Sequence, residues 1–272
     1  MNGDEKGNLV TPTTTVLPAR LAIFQPSQRP KQTEGTWFQT SFGRCKVTGR
    51  LGQRHADVLE SILYVAEKRR EIEDGGVELL VDPAKVRRSM SDHNYSIGRI
   101  KAFLRELRTA EVEIVTPEME AFGESMFGGM IDHVEPSPMT RPDPLTGKER
   151  PLWRVRLGKC LVTLLGRDLP LYYKPAPIAR LQHGVSQAVA RHILTHKHDP
   201  AGGWHLDTLL RAVCGEDAKS QTMRDGRRRI REDLEQLAKL GIHLNDENRI
   251  SRGTTARERG TAARERGTAA RI

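Results

Sequence analysis

The residues with the most distinctive chemistry in this sequence form a basic block between Lys219 and Arg231. Six cations stand there against Asp225 as the one carboxylate, and three carboxylates follow within the next four residues. A helix that optimised its own dipole would have the opposite order, because its N-terminus favours carboxylates and its C-terminus favours Lys and Arg. The reversed order predicts that this helix binds an anionic partner.

Arginine can bond bidentately to O6 and N7 of guanine in the major groove, and shorter polar side chains can reach phosphates or bases. In a helix-turn-helix, the second helix enters the groove with its N-terminal residues at the base edges. We expect one helix to continue to Leu240, with Met223, Ile230, Leu234 and Leu237 buried beside it. The remaining faces predict DNA contacts from Lys219, Ser220, Gln221, Thr222, Arg224, Arg227, Arg228 and Arg231. The alternative interpretation is a solvated charged face.

The segment around this block has the element order of a winged helix. An apolar stripe from Val185 to Leu194 predicts a helix, and residues 204–206 predict a short strand. Asp207 is a predicted N-cap for a helix through Val213. A polar turn then precedes the basic helix, and residues 242–250 predict a closing hairpin.

The first half of the chain repeats this order. We predict a helix around residues 58–65, a strand at residues 77–81, a helix from Pro83 and a second helix at residues 97–107, followed by strands. The second helix is less basic, because Glu106 offsets its cations. Its predicted DNA contacts are Asn94, Tyr95, Ser96, Arg99, Lys101 and Arg105. The alternative is a helix that packs on its neighbour or on a second subunit.

These patterns predict an α+β fold, mostly helical, with two winged-helix domains in tandem between disordered tails. We assign residues 1–36 to a disordered N-terminal arm and 37–135 to the first winged-helix domain. Residues 136–151 form a Pro-rich linker. Residues 152–250 form the second domain with the main recognition helix, and 251–272 a low-complexity heptad-repeat tail.

The heptad "RGTAARE" of the tail lacks the apolar seam that makes heptads useful in coiled coils. Seven codons are 21 nucleotides, about two turns of B-DNA. We therefore predict that the end of the gene encodes tandem copies of the protein's own DNA site, and that the tail is not needed for specific binding. Recent duplication of a low-complexity tail is the alternative explanation.

The bulk composition supports a polyanionic partner. The 272 residues carry a net charge of +9 and have a pI of about 9.7. The three cysteines are dispersed and odd in number, which predicts neither a disulfide framework nor a zinc cluster and suits the cytoplasm. Without a signal peptide or a long apolar run, we expect no membrane association.

Several catalytic arrangements are not indicated. Gly147 and Lys148 lack the remaining residues of a P-loop, so no ATP site is predicted. His192 and His196 could ligate a metal, but exposed histidines near a helix end are the favoured interpretation. A nicking enzyme would use Tyr172 or Tyr173, yet the accompanying metal motif is missing. We predict no catalytic residue, metal or cofactor.

The stretch from Val185 to Ile242, with its Thr-Met-Arg opening, arginine block and Leu-Gly ending, resembles plasmid replication initiators of the double winged-helix type. The resemblance is closest to the IncQ-type initiator and looser to the IncP-type one, and it covers about residues 20–250. It implies binding to repeated double-stranded origin sites (iterons), local melting, recruitment of a host- or plasmid-encoded replicative helicase, and monomer–dimer self-association. The residues alone lead only to double-stranded DNA binding, and a transcriptional repressor or autorepressor is the alternative.

The apolar island "RLAIF" weakly resembles the Gln-Leu-x-Leu-Phe peptide that binds bacterial sliding clamps. Leu21, Ile23 and Phe24 would be its contact residues. The alternative is that this island packs onto the domain that follows it.

Overall fold

The structure is a computed structural model that describes residues 11–90, 95–143 and 146–253. The predictions for Asn94, for residues 1–10 and for the tail beyond Gly253 lie outside the described residues. Helices account for 41% and strands for 29% of the described residues. The α+β class is therefore confirmed, with helix as the larger share but less than half.

The N-terminal half contains, in order, β1 (Thr14–Thr15), α1 (Val16–Arg20), β2 (Thr33–Thr40), β3 (Gly43–Gly49), α2 (Gln53–Val65), β4 (Lys68–Glu71), β5 (Val77–Val81), α3 (Pro83–Met90), α4 (Ile97–Thr109), β6 (Glu111–Val115), α5 (Pro117–Ala121), β7 (Met126–Gly128), β8 (Ile131–Pro142) and β9 (Glu149–Leu157). The C-terminal half contains α6 (Lys159–Arg167), β10 (Pro170–Leu171), α7 (Ala176–Ala179), α8 (Gly184–Leu194), β11 (Trp204–His205), α9 (Leu206–Cys214), α10 (Ser220–Glu232), α11 (Leu234–Lys239), β12 (Ile242–Leu244) and β13 (Arg249–Arg252).

Two units with one topology are embedded in this order. The first unit, residues 53–157, contains α2, β5, α3, α4, β8 and β9 in this order, and its sheet has the strand order β4-β5-β9-β8. Strand β4 is inserted after α2, and β6, α5 and β7 are inserted between α4 and β8. The second unit, residues 184–252, runs α8, β11, α9, α10, β12, β13, with the strand order β11-β13-β12. In both, the strand that directly precedes the second helix, β5 or β11, pairs with the last strand of the closing hairpin, β9 or β13. The helix–strand–helix–helix–hairpin order predicted from the sequence therefore occurs in both units, with inserted elements in the first, and the tandem winged-helix architecture stays a prediction.

The helix that precedes the closing hairpin forms in each unit for local reasons. In α4, Ile100, Phe103, Leu104 and Leu107 recur at helical spacing and are all buried, and Ser96 caps the N-terminus by accepting from the Arg99 amide at 3.1 Å. In α10 the buried side is narrower. Gly226 lies on the buried side of α10, where a Cβ atom would be 2.9 Å from the Leu210 side chain of α9. The absence of a side chain at Gly226 therefore lets α9 and α10 approach closely.

The boundary between the units differs from the predicted one. The described residues of the predicted linker, 136–143 and 146–151, lie within the β8–β9 hairpin, and β9 completes the sheet of the first unit. Prolines are tolerated there because β8 is an edge strand and bulges between Pro136 and Thr140, so few of its backbone amides are needed for pairing. The apolar core of the first unit continues through Leu164 of α6, and that of the second begins at Ile178.

The predicted disordered arm is wrong for residues 11–36. Residues 14–15 pair with β10, and β2 begins at Thr33 in a sheet of order β2-β3-β6-β7. Leu21, Ile23 and Phe24 are buried in the core of the first unit, at 8% exposure or less. A clamp-binding peptide must present these side chains to its partner, so the structure supports the packing alternative and contradicts the clamp prediction.

Candidate nucleic-acid interface

Helix α10 presents most of the predicted contact residues on its open side. Met223, Gly226 and Ile230 point into the core, so the remaining faces are available to a ligand. The exposed members of the predicted set are Lys219, Ser220, Gln221, Thr222, Arg224, Arg228 and Arg231. Arg229, which the prediction omitted, is exposed as well.

Three exposed arginines of α10 have a neighbouring side chain as a partner. Arg224 donates to Gln221 Oε1 at 2.9 Å, and Arg231 donates to Asn248 Oδ1 at 2.7 Å. Arg228 Nη1 lies 2.5 Å from Glu232 Oε1, one turn further along the helix. These contacts are exposed, so their guanidinium groups can exchange them for phosphate or base acceptors at small cost.

Arg227 differs from the other arginines. It makes a two-bond fork to Asp207 of α9, with Nε to Oδ1 and Nη2 to Oδ2 both at 2.7 Å. Hydrogen bonding from Arg227 lowers the pKa of Asp207 below its ordinary value. The prediction that Arg227 is a free groove contact is therefore not supported, because the fork already occupies it in joining α10 to α9. Asp207 lies in the first turn of α9 and not at its N-cap, which is His205.

The predicted continuous helix from Ser220 to Leu240 is wrong, because α10 ends at Glu232. Asp233 is 2% exposed and accepts from the backbone amides of Gln182 and His183, at 2.9 and 3.0 Å. Holding these two amides ahead of α8 fixes the carboxylate and turns the chain into the separate helix α11. Asp233 thus joins the fold, whereas Glu232 stays exposed on α10 beside Arg228, and Glu235 is exposed on α11.

A polar cleft of about 650 Å³ opens beside this basic face. It lies between the start of α9, the middle of α10 and the β12–β13 turn. Its lining includes Asp207, Arg211, Arg227, Arg231 and Asn248. The cleft therefore extends the polar, cation-rich surface of α10 onto α9.

Helix α4 occupies the corresponding position in the first unit and also carries exposed cations. Ser96, Arg99, Lys101 and Arg105 of the predicted set are exposed, together with Arg108, which was not predicted. Within the described residues none of these cations has an ion pair. Arg99 lies over the Phe103 ring at 4.7 Å and Lys101 over the Trp153 ring at 5.9 Å.

Two residues of the α4 region face the protein. Tyr95 is half-buried and contacts the edge of Phe103, and burial raises the pKa of its hydroxyl. Glu106 accepts from Arg50 and His55. Although burial acts to raise the pKa of Glu106, bonds from Arg50 and His55 hold it below the ordinary value. Glu106 therefore does not offset the cations of α4 as the sequence predicted.

The groups considered for catalysis are mostly engaged in the fold. The Tyr173 hydroxyl donates to Glu60 at 2.7 Å, and burial, together with Glu60, raises its pKa well above the ordinary value. Tyr172 is 55% exposed. His192 is buried, contrary to the expected exposed histidine, and its Nε2 lies 3.4 Å from Nε2 of His196. Among the described residues, no three His, Cys, Asp or Glu side chains are placed to hold a metal.

No helix in the described part of the chain is both long and apolar enough to cross a bilayer.

Comparison with known proteins places the chain in no established family. No family model matches it, and no curated protein sequence matches it. Among solved structures, the crystal structure of the RctB domains 2-3 is similar, with a TM-score of 0.44 and 11% sequence identity over 80% of this chain and 83% of that chain. A likeness at this level establishes neither the family nor the function of this chain, and the resemblance to IncQ-type and IncP-type initiators stays a prediction.

Proposed function

We propose that this protein is a sequence-specific double-stranded DNA-binding protein in which two winged-helix units each place one helix, α4 or α10, in a major groove. The observation that carries this proposal is the repetition of a helix–strand–helix–helix–hairpin order, with an exposed basic helix as the third helix of each unit. Two solvated charged helices would not need to coincide with the groove-entering position of a helix-turn-helix.

The chemistry of docking follows from the charges on α10. The N-terminal turn brings Lys219, Ser220 and Thr222 to phosphates, while Arg224 and Arg228 lie one turn apart on the open side. Arg228 exchanges Glu232 for a base or phosphate acceptor on binding. The free energy of that exchange depends on the acceptor geometry, which favours guanine because its O6 and N7 match the arginine fork.

We propose further that the bound DNA is a plasmid origin and that the protein initiates replication there. Iteron binding, melting of adjacent DNA, recruitment of a helicase and self-association rest on the resemblance of the 185–242 stretch to plasmid initiators. A repressor acting through the same two helices is the second candidate, since DNA binding by itself serves both roles.

Selection from a random duplex pool by the full-length protein, followed by binding of the selected duplex at matched salt, tests the DNA-binding proposal. Arg224→Ala and Arg228→Ala should weaken binding to the selected duplex more than binding to random duplex. Arg167→Ala, an exposed arginine on α6, is the matched control. Equal binding of selected and random duplex by the parent would contradict the proposal.

The coding sequence of residues 252–272 offers a second probe, because we predict that it contains copies of the binding site. Footprint protection repeating every ~21 base pairs, two turns of B-DNA, is the expected result. A protein truncated after Arg252 should keep its specific affinity, apart from a salt-sensitive contribution of the tail arginines.

Supplying the gene in trans to an origin fragment separates the initiator from the repressor, since only an initiator lets the fragment replicate. Incubating supercoiled origin DNA with the protein and Mg²⁺ or Mn²⁺ addresses the nicking enzyme. A nick that Tyr172→Phe abolishes would contradict the non-enzymatic proposal.

A further inference from the structure

The centre of the molecule contains a buried polar network that joins the two units. Arg191 of α8 donates from Nε and Nη2 to both oxygens of Glu60, each at 2.8 Å, and from Nη2 to Asp57 Oδ1 at 2.7 Å. Its Nη1 donates to Gln53 Oε1 at 2.7 Å. Gln187, one turn before Arg191, donates to Asp57 Oδ2 at 3.2 Å. The three partners on α2, Gln53, Asp57 and Glu60, stand at positions i, i+4 and i+7, so they lie on one face of this helix.

This network is shielded from water to an unusual degree. Arg191 is 5% exposed, Glu60 4% and Asp57 0%. Helices α2 and α8 are each buried almost all round, because their polar sides face each other. A buried ion pair adds little net stability, since desolvation of the charges offsets their attraction. Its stronger effect is to penalise any other arrangement, because a shift of the helices would leave buried charges without partners.

The network also lies on the path between the two proposed DNA-binding helices. Helix α4 packs on α2, and α10 packs on α8, so the orientation of α2 against α8 fixes the orientation of α4 against α10. Additional polar contacts tie the same junction. Arg54 donates to the Ala179 carbonyl at 3.1 Å and to Gln28 Oε1 at 2.8 Å, and Gln28 donates to the Leu181 carbonyl at 3.1 Å.

We propose that Arg191, with Asp57 and Glu60, is a positioning residue that sets the one spacing of half-sites at which α4 and α10 bind the same duplex. The proposal rests on the proposed function, because it requires both helices to contact DNA. An apolar interface between α2 and α8 would tolerate sliding and would permit a range of spacings. The forked Arg191 contacts permit one spacing of the two helices.

The primary experiment measures affinity as a function of spacing. The duplex selected by the parent is lengthened or shortened between its two half-sites by single base pairs. The parent should bind best at the selected spacing and weaken by about tenfold or more one to two base pairs away, as two rigidly linked contacts lose simultaneous engagement.

The test variant is Arg191→Met/Asp57→Asn/Glu60→Gln, which removes all three charges together so that none is left buried alone. We expect it to bind each isolated half-site within about threefold of the parent and to lose most of the spacing preference, because linkage without rigidity lowers the effective concentration. A parental spacing profile in this variant would overturn the proposal. Arg191→Lys keeps the positive charge beside Asp57 and Glu60 but cannot form the forked hydrogen bonds. It replaces the triple variant if the triple variant does not fold.

A measurement without DNA separates this proposal from the proposed function. Spin labels on Arg108→Cys and Arg229→Cys, with the half-buried Cys214 changed to Ala, report the distance between the ends of α4 and α10. The parent should give one narrow distance distribution and Arg191→Lys a broader one. Equal widths would overturn the positioning role. If the parent has a narrow distribution but no duplex binding, the proposed function fails while the positioning of the helices stands.

Discussion

The two basic helices differ in how their cations are held. On α10, Arg224, Arg228 and Arg231 each have a side-chain partner that fixes the guanidinium group. On α4, Arg105 and Arg108 have no such partner within the described residues. The amide oxygens that accept from Arg224 and Arg231 are neutral and can stay bonded while the guanidinium group binds a base edge, which lowers the conformational entropy lost on binding. A free cation suits a phosphate, which accepts from many directions.

The difference indicates a division of labour between the units. We expect α10 to supply more of the base recognition, and the cations of α4 to supply more of the salt-dependent contact with the DNA backbone beside the groove. The support beneath the helices differs as well. Helix α4 leads directly into β6, whereas α10 rests on the short helix α11 and on the buried Asp233 at the junction.

The largest expected effect comes from removing the support of α10. Leu237 of α11 is 1% exposed, so Leu237→Asp would bury an unpaired carboxylate and lower the free energy of unfolding by about 4 kcal/mol. Urea unfolding measures the change. Leu234→Asp, on the same short helix but half-buried, is the matched control and should cost much less. Equal losses would favour a continuous helix through Leu240 over the break at Asp233.

The division of labour itself is tested by one arginine from each helix. Arg228→Ala should weaken specific binding by ~1–3 kcal/mol and relax the preference at one base pair. Arg105→Ala should weaken binding to specific and random duplexes alike and reduce the slope of log affinity against log salt by about 1.

Binding isotherms for both variants at several salt concentrations, on selected and random duplexes, distinguish the two patterns. Reversed patterns, with loss of base preference in Arg105→Ala and a uniform loss in Arg228→Ala, would contradict the assignment. The exposed Arg167 on α6 again provides the control, because its replacement should leave both quantities unchanged.

The units also differ in the histidine that each keeps on its first helix. His55 on α2 has Glu106 as a partner, whereas Nδ1 of His192 on α8 has none within the described residues. Burial, with the nearby His196 and Arg20, lowers the pKa of His192 from 6.5 to about 4. The folded state therefore keeps His192 neutral, and stability is lost as the pH falls below 6.5, where the unfolded chain takes up the proton first.

We expect the neutral His192 to account for a loss of about 2 kcal/mol in the free energy of unfolding between pH 7 and pH 5. Urea unfolding at the two pH values should show this loss in the parent and a smaller one in His192→Gln. His55→Gln is the comparison variant. Burial lowers the pKa of His55 too, but Glu106 opposes that shift, so its replacement should change the pH dependence less. An unchanged pH dependence in His192→Gln would contradict the argument.

The sequence predicts the parts of this fold that periodicity encodes. The apolar stripe Ile100–Leu107 predicts α4. The strand predicted at residues 77–81 agrees with β5, and the closing hairpin predicted at 242–250 agrees with β12 and β13. The sequence could not show which polar helix faces are buried against each other. Asp57, Glu60 and Arg191 have the spacing of solvated helix residues, and only the packing of α2 on α8 makes them an interior network.

Long-range partners explain the other differences. Prolines at residues 136–151 indicate a linker unless the strand they occupy is known to be an edge. Asp233 continues a helical pattern until its carboxylate is seen to hold the amides of Gln182 and His183. The fork between Arg227 and Asp207 joins residues twenty positions apart, and the basic block alone gave no reason to separate Arg227 from its neighbours.

The smallest effect that we predict is that of replacing Arg227. Arg227→Ala should leave base preference intact and lower the free energy of unfolding by about 0.5 kcal/mol, because the fork to Asp207 is half-exposed and screened by solvent.

The pKa of Asp207 lies below 3.8 in the folded state, so the contribution of the fork is present above pH 3.8 and is lost as the pH falls through the lower folded value. Urea unfolding near pH 5 and near pH 3 should therefore show a difference between Arg227→Ala and the parent that shrinks at the lower pH. Asp207→Asn should remove the same pH dependence, and Arg224→Ala is the control that leaves it in place. If Arg227→Ala instead relaxes a base preference as Arg228→Ala does, the fork opens on binding, and Arg227 belongs with the groove contacts that the sequence alone predicted.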